Sequence, residues 1–392
     1  MPVEEKVDRA ELLRRAAGLV PNLKKRAAGT EELRSIPQET VDELHASGIM
    51  RAPQPARFGG FDIDYGVVLD IAAELGRGCG STAWCYSIWA SHNWVAGMFP
   101  EKAQEEYWAE SKDTLSSTSL NPSNAKVTAA PGGYRLSGRW EFSSGCDHAQ
   151  WAMLAGVGPA PAGMLYLLVP RSDYEIKDTW FVSGLRGTGS KDVLIEDVFV
   201  PEHRVVPLAA LRDASYPGRK IHGTPNYRIP LQSMFAYTLA SPVLGMAQGA
   251  LEEFESHSAG RVNYTSGERL AESAPLHIRI AHAEAEIHSA RLIMENDVRD
   301  VFEKARSDQD PSLADRVRYR RNQSYVARLS VSALDRMFEA SGGHAIHDSS
   351  PMQRFHRDAH AASHHFGLSW DTVAEEFGRI RMGLEPKNPG RI

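Results

Sequence analysis

Six of the chain's fifteen histidines fall within twenty-two residues near the C-terminus, in SGGHAIHDSSPMQRFHRDAHAASHHF. They are His344, His347, His356, His360, His364 and His365. Imidazole is the side chain whose ordinary pKa lies nearest neutrality, so this density points to proton transfer or to metal binding. His360 and His364 are four apart, which on a helix puts both on one face, as a zinc or iron site requires. The surroundings argue against a metal. There is no HExxH, no ExxH pair and no acidic residue at ligand spacing apart from Asp358. No metal is therefore expected, and solvated or hydrogen-bonded helix histidines are the default for most of the six.

The segment RWEFSSGCDHAQW (139–151) is a second candidate. A strand entering Ser143-Ser144-Gly145 presents hydroxyls and backbone N–H groups where the chain can approach a flat ligand closely. The same composition also fits an ordinary hairpin end. GLRGTGS (184–190) is rich in glycine, but it sits between β-like runs rather than opening a helix, and it is not GxGxxG. Neither a Rossmann fold nor a P-loop is expected from it. No GxSxG elbow marks a serine hydrolase.

The elements that must position these residues follow from periodicity. ELLRRAAGLVPNLKKRAAGTEELRSI and QETVDELHASGI carry apolar residues at three- and four-residue spacing and read as helices. GVVLDIAAELGRGCGSTAWCYSIWASHNWVAGMF is a largely apolar run long enough for two buried helices, broken at Gly76 to Gly80. KVTAAPGGYRLSGRWEF has a Pro-Gly-Gly turn between alternating segments, the mark of a β-hairpin. WAMLAGV, GMLYLLVP and VLIEDVFVP continue the β character. Residues 209–229 are rich in Pro, Gly and aromatics and read as a long loop that could serve as a lid. Helical patterns of roughly 25 to 30 residues follow, as in an antiparallel bundle. The expected units are a helical domain over 1–114, a β domain over 115–208, the loop over 209–229 and a helical bundle over 230–392.

Composition narrows the class. The chain has 392 residues, 42% hydrophobic and 24% charged, with a net charge of -6. That balance gives no electrostatic reason to expect nucleic acid or an anionic membrane as partner. No uncharged apolar stretch approaches the roughly 20 residues that span a bilayer. The charged N-terminus lacks the apolar core of a secretory signal. Cys79, Cys85 and Cys146 are odd in number and irregularly spaced, as expected of free thiols in a reducing cytoplasm.

Several of these strings, in order, resemble the acyl-CoA dehydrogenase superfamily: GLRGTGSKDVLIEDVFVPEHRV, ASGGHAI (340–346) and RFHRDAH (354–360). CGSTAW (79–84), SHNW (91–94), SSGCDHAQW (143–151), YEIKDTWFVSGLRGTGS (174–190) and MQRFHRDAHA (352–361) are similar to its two-component, group D flavin-dependent monooxygenases. The seco-steroid phenol hydroxylases of actinobacterial cholesterol catabolism are the nearest kind. The likeness runs along essentially the whole chain. It implies a mainly α fold with an N-terminal helical domain, a central β-barrel and a C-terminal four-helix bundle, assembled as a homotetramer.

The resemblance also implies a chemistry. Reduced FAD or FMN, with FADH2 preferred, arrives from a separate NAD(P)H-dependent reductase and reacts with O2 to a C4a-hydroperoxide that hydroxylates a hydrophobic aromatic substrate such as a phenol, indole or polycycle. His365 matches the family histidine on the oxygen-activating face, with His364 as the adjacent alternative and His92 reaching the same pocket from the N-terminal domain. Ser143 matches the hydroxyl near the flavin N5 and O4, with Ser144 next to it. Trp84, Gly342 and Gly343 are further cofactor contacts, Arg261 resembles the superfamily arginine that meets the flavin phosphate from a neighbouring subunit, and Trp94, Phe142 and Phe366 are expected as pocket walls. Arg261 lacks the usual phenylalanine-glycine after it; Tyr264-Thr265 stands there instead.

Two departures separate the chain from a dehydrogenase. The glutamate base that follows the R-D-A alanine by seven residues is Phe366 here, and SLNPSNAKV replaces the acyl-CoA motif T-E-P-x-x-G-S-D. Glu339 and Glu295 are the carboxylates that could supply a base from another helix. The alternatives left open are an N- or S-oxygenating relative and an FAD-dependent acyl-CoA dehydrogenase.

Overall fold

The chain enters its first helix, α1 (Arg9–Leu33), through Asp8, whose carboxylate accepts the backbone N–H of Glu11 and satisfies one free donor of the first turn. The computed structural model describes residues 7–262, 267 and 269–391; Tyr264 and Thr265 lie outside the described residues. After α1 come α2 (Gln38–Ser47), α3 (Gly66–Gly76), α4 (Gly80–Ala96) and α5 (Glu101–Tyr107). The glycine-rich break at 76–80 separates α3 from α4, as the sequence pattern predicts. Every residue of α4 is buried. A helix with no solvated face must be central, and α4 carries Trp84, His92 and Trp94 into the middle of the molecule.

Eight strands follow: β1 (Ser116–Ser119), β2 (Ala125–Ala130), β3 (Gly133–Ser143), β4 (Trp151–Val157), β5 (Met164–Pro170), β6 (Glu175–Lys177), β7 (Lys191–Pro201) and β8 (Val205–Pro207). The predicted hairpin is β2–β3, in antiparallel register with Ala130 opposite Gly133, and Gly132 takes the positive φ of +77° that the turn needs. The β-barrel expectation is not met. The strands form two four-stranded sheets, in the orders β1-β4-β5-β8 and β2-β3-β7-β6. Among the described residues no ladder joins the edges of one sheet to those of the other. They pack through side chains instead, with Leu136, Trp140 and Val193 of one sheet against Leu154, Leu165 and Leu167 of the other. The Trp140 indole N–H donates to the Ala155 carbonyl at 2.8 Å and ties the two sheets together.

The segment expected as a loop carries two short helices, α6 (Leu208–Arg212) and α7 (Gly218–His222), and a 3-10 turn, Pro225–Arg228. It is pinned rather than loose. Asn226 is buried, donates to Asp62 and to the Ile63 carbonyl, and accepts the Tyr65 N–H. Three long helices, α8 (Leu231–Ala259), α9 (Ala274–Arg306) and α10 (Leu313–Ala340), then precede α11 (Pro351–Ser363) and α12 (Trp370–Arg381). The helix α10 packs on α8, α9, α11 and α12, so the C-terminal part is a bundle. Helix α8 comes close to α3 because both surrender side chains: a Cβ on Gly245 would fall 2.0 Å from the Ala73 carbonyl oxygen.

Candidate active site

The C-terminal end of α11 delivers His365, though not from the helix. The last helical residue is Ser363, and His365 is the N-cap of a 3-10 turn, Phe366–Leu368. Its Nδ1 accepts the Gly367 N–H at 3.0 Å, which leaves the neutral ring's proton on Nε2. The Gly367 carbonyl in turn accepts from the buried Arg320 guanidinium at 3.2 Å. Burial and the Arg320 charge push the His365 pKa down to about 4, so the ring is neutral at physiological pH. This orientation makes Nε2–H a fixed donor.

Across from it stands Trp84 of α4, with ring centroids 5.9 Å apart, and Phe235 of α8 flanks the imidazole at 6.4 Å. The Trp84 indole N–H donates to Ser144 Oγ at 3.1 Å. Ser144 Oγ also bonds Ser190 Oγ at 2.7 Å, and Ser190 Oγ bonds Thr188 Oγ1 at 2.6 Å. A chain of hydroxyls therefore runs from the end of β3 to the turn before β7 and is tied through Trp84 to His365. The loop bearing Thr188 and Ser190 is held from the other side. Asp358 of α11 is buried and accepts the Leu185 N–H at 2.6 Å, and burial raises its pKa to about 6.

The structure separates the paired candidates. Ser144, rather than Ser143, joins Trp84; the buried Ser143 hydroxyl reaches only the Thr118 carbonyl, at 3.5 Å. His364 is exposed and turns its Nδ1 onto the carbonyl of His360 in its own helix, at 2.6 Å, so it does not share the position of His365. His92 is buried on α4, its Nδ1 donates to the Ser116 carbonyl at 2.7 Å, and burial lowers its pKa to about 4. It is held neutral against β1.

The expected walls divide in the same way. Trp94 is a core residue: it packs on Tyr65 at 4.4 Å and its indole N–H donates to the Asn226 carbonyl at 2.8 Å. Phe142 is 62% exposed, with a left-handed φ of +64°, and packs edge-on against Trp180. Phe366 is 52% exposed and lies beside His365 and Phe235. Both rings are thus left largely uncovered, Phe142 at the end of β3 and Phe366 beside Phe235 of α8. Arg261 donates to the Ser341 carbonyl at 3.2 Å, next to Gly342, whose φ of +70° and ψ of -171° suit only glycine. That turn borders a groove of about 300 Å³ lined by Phe254, His257, Ser341, His344 and Met352.

Neither alternative carboxylate belongs to the Trp84–His365 cluster. Glu339 is exposed and paired with Arg279, and Glu295 borders a shallow groove with Arg9, Asp70 and Arg299. Ser190, Thr188, Phe235 and Arg320 join the cluster without having been expected from the sequence. The first two lie in GLRGTGS, whose glycines mark it without singling out its hydroxyls. The other two had no signal, since a helix-borne phenylalanine or arginine looks like any other core or surface residue.

Comparison with known proteins agrees with this architecture. The family model described as acyl-CoA dehydrogenase, N-terminal domain, matches residues 11–110, and that for the acyl-CoA dehydrogenase C-terminal domain matches residues 237–370. The flavin-dependent monooxygenase oxygenase subunit HsaA of Mycobacterium tuberculosis is 37% identical over 383 residues, 97% of each chain. The FADH2-dependent resorcinol hydroxylase oxygenase component of Rhizobium sp. is 36% identical, over 96% of this chain and 95% of its own. The crystal structure of the 3-HSA hydroxylase from Rhodococcus sp. RHA1 superposes with a TM-score of 0.94 at 35% identity, over 97% of this chain and 99% of its own. The chain belongs to the acyl-CoA dehydrogenase superfamily, within its family of flavin-dependent monooxygenase oxygenase components.

Proposed function

We propose that the protein is the oxygenase component of a two-component monooxygenase, using reduced flavin and O2 to hydroxylate a hydrophobic aromatic substrate. The observation that carries this reading is the neutral His365, its Nε2–H fixed as a donor beside Trp84, with Phe366 where a dehydrogenase would hold its carboxylate. Without a base, α-proton abstraction from a thioester has no agent here.

The donor set suits a flavin. A planar ring with polar edges needs hydroxyls on one side and aromatic walls around it, and Ser144, Trp84 and Phe366 offer both. The Gly342-Gly343 turn, Arg261 and the adjoining groove would take the nucleotide tail, which favours FADH2 over the shorter reduced FMN. When bound, reduced flavin supplies the electrons that activate O2.

The chain's own residues then do three things. Ser144, oriented by Trp84 and Ser190, holds the polar edge of the ring. His365 donates from Nε2 to oxygen at the reacting face and keeps that face free of an ionised group. Phe366 and Phe235 exclude water, which protects oxygen activation from wasteful release of hydrogen peroxide. His92, buried on α4 and bonded to the Ser116 carbonyl, is held neutral behind β1 and supports the site's packing rather than the substrate.

A separate NAD(P)H-dependent flavin reductase is the partner that this chemistry requires. A homotetramer accounts for the exposed Ile278 and Leu292 on α9, at 59% and 50%. Among the described residues no helix is long and apolar enough to cross a membrane, and a cytoplasmic setting fits the three free thiols, all buried. Aerobic turnover of simple phenols and indole with an added flavin reductase tests the reading. Hydroxylated product that depends on the reductase is expected; thioester oxidation without a reductase would overturn it.

A further inference from the structure

The histidines that do not reach the Trp84–His365 cluster are not all idle. His356 and His360 stand one turn apart on α11 and direct both Nε2 atoms at the same carboxylate oxygen, Asp335 Oδ1 of α10, at 3.3 and 2.7 Å. The three donor atoms lie within 4.8 Å of one another. Their orientation is fixed by packing: the His356 ring stacks on Phe338 at 4.2 Å and 22°, and the two imidazole centroids are 4.4 Å apart. Among the described residues, Asp335 has no Lys or Arg partner, and the neighbouring Arg336 is taken by Glu286. All three side chains keep between 29% and 41% exposure, so an ion has a path in and open positions for water.

We propose that Asp335, His356 and His360 bind a divalent transition-metal ion of the zinc class. Two imidazole nitrogens and one carboxylate oxygen suit Zn²⁺, Co²⁺ or Ni²⁺ and not the all-oxygen preference of Mg²⁺ or Ca²⁺. The relevant helical pair is His356 and His360, with the third ligand supplied from 25 residues earlier on another helix. The ion bridges α10 to α11, the helix whose end presents His365, and so acts as a staple for that end.

The test uses tag-free, chelator-treated full-length protein, titrated with Zn²⁺ by calorimetry and with Co²⁺ by visible absorption. One ion per chain is expected, with a cobalt band typical of nitrogen and oxygen ligands and a Zn²⁺-dependent rise in melting temperature. His356→Ala, His360→Ala and Asp335→Asn should each weaken binding by at least about tenfold. His344→Ala/His347→Ala, which alters another pair of neighbouring imidazoles, should leave it unchanged. Asp335→Asn keeps shape and helix, and circular dichroism of each variant separates lost folding from lost binding. Equal affinity in wild type and all three variants, or no binding by wild type at millimolar Zn²⁺, would overturn the proposal.

Discussion

Trp84 and His365 face each other with ring centroids 5.9 Å apart, although 281 residues separate them in the chain. Each ring is braced from behind. The indole N–H is spent on Ser144, and the imidazole Nδ1 is spent on the Gly367 N–H. The only polar group left to point outward from this pair is His365 Nε2–H. A rigid donor whose ring is already desolvated loses little on ligand binding, which is what preorganisation means here.

That arrangement sets apart two adjacent histidines. His365→Ala should keep its affinity for reduced flavin while hydroxylated product falls by at least about a hundredfold and flavin oxidation is diverted to hydrogen peroxide. His364→Ala should behave as wild type. Product and peroxide yields per reduced flavin measure this directly, and equal losses in both variants would contradict the assignment.

The serines divide in the same manner. Ser144→Ala removes a hydroxyl that accepts from Trp84 and bonds Ser190, so reduced-flavin binding should weaken about fivefold, the worth of roughly 1 kcal/mol. Ser143→Ala should have the smaller effect on Kd. Anaerobic titration of each variant with reduced FAD gives the comparison; the reverse order would put Ser143 at the flavin.

Trp94 tests where the pocket ends. Its indole is core, with its N–H on the Asn226 carbonyl, so Trp94→Phe should destabilise the fold by about 2 kcal/mol from a lost hydrogen bond and a small cavity. Its KM for the aromatic substrate and its product yield should not change. A shifted KM with an unchanged denaturation midpoint would return Trp94 to the pocket wall.

Asp358 and His92 pull the pH dependence of stability in opposite directions. Burial raises the Asp358 pKa from 3.8 to about 6, so over that window the unfolded chain has lost a proton that the native chain retains. Stability therefore falls as pH rises through it, by on the order of 3 kcal/mol. Burial lowers His92 from 6.5 to about 4, so the unfolded chain takes up a proton first and stability falls as pH drops through that window. Asp358→Asn keeps an acceptor for the Leu185 N–H and removes only the first effect. Its gain in melting temperature over wild type should be largest above pH 6 and vanish near pH 4; parallel curves would contradict this.

The periodic segments were legible in the sequence because one residue's neighbours decide them. The break between α3 and α4, the β2–β3 hairpin and the long helices α8 to α10 all follow from local apolar spacing and turn residues. The sheets were not legible in the same way. Alternation marks a strand but says nothing of which edges meet, and closure into a barrel depends on ladders between strands far apart in sequence. The candidate site was legible only through its motifs. His365 and the Ser143-Ser144 pair came from such strings, but the choice of Ser144 rests on an indole sixty residues away. Asp335 joins His356 and His360 only because α10 and α11 pack together, and no spacing rule along the chain shows that contact.

The oxygenase chemistry is checked by rapid mixing of the protein, loaded anaerobically with reduced FAD, against oxygenated buffer. Oxygen should be consumed well before the absorbance of oxidised flavin returns, and an accepted aromatic substrate should take up one oxygen atom in the interval. Return of oxidised flavin in a single phase, at the rate seen for reduced FAD without protein, would contradict that chemistry.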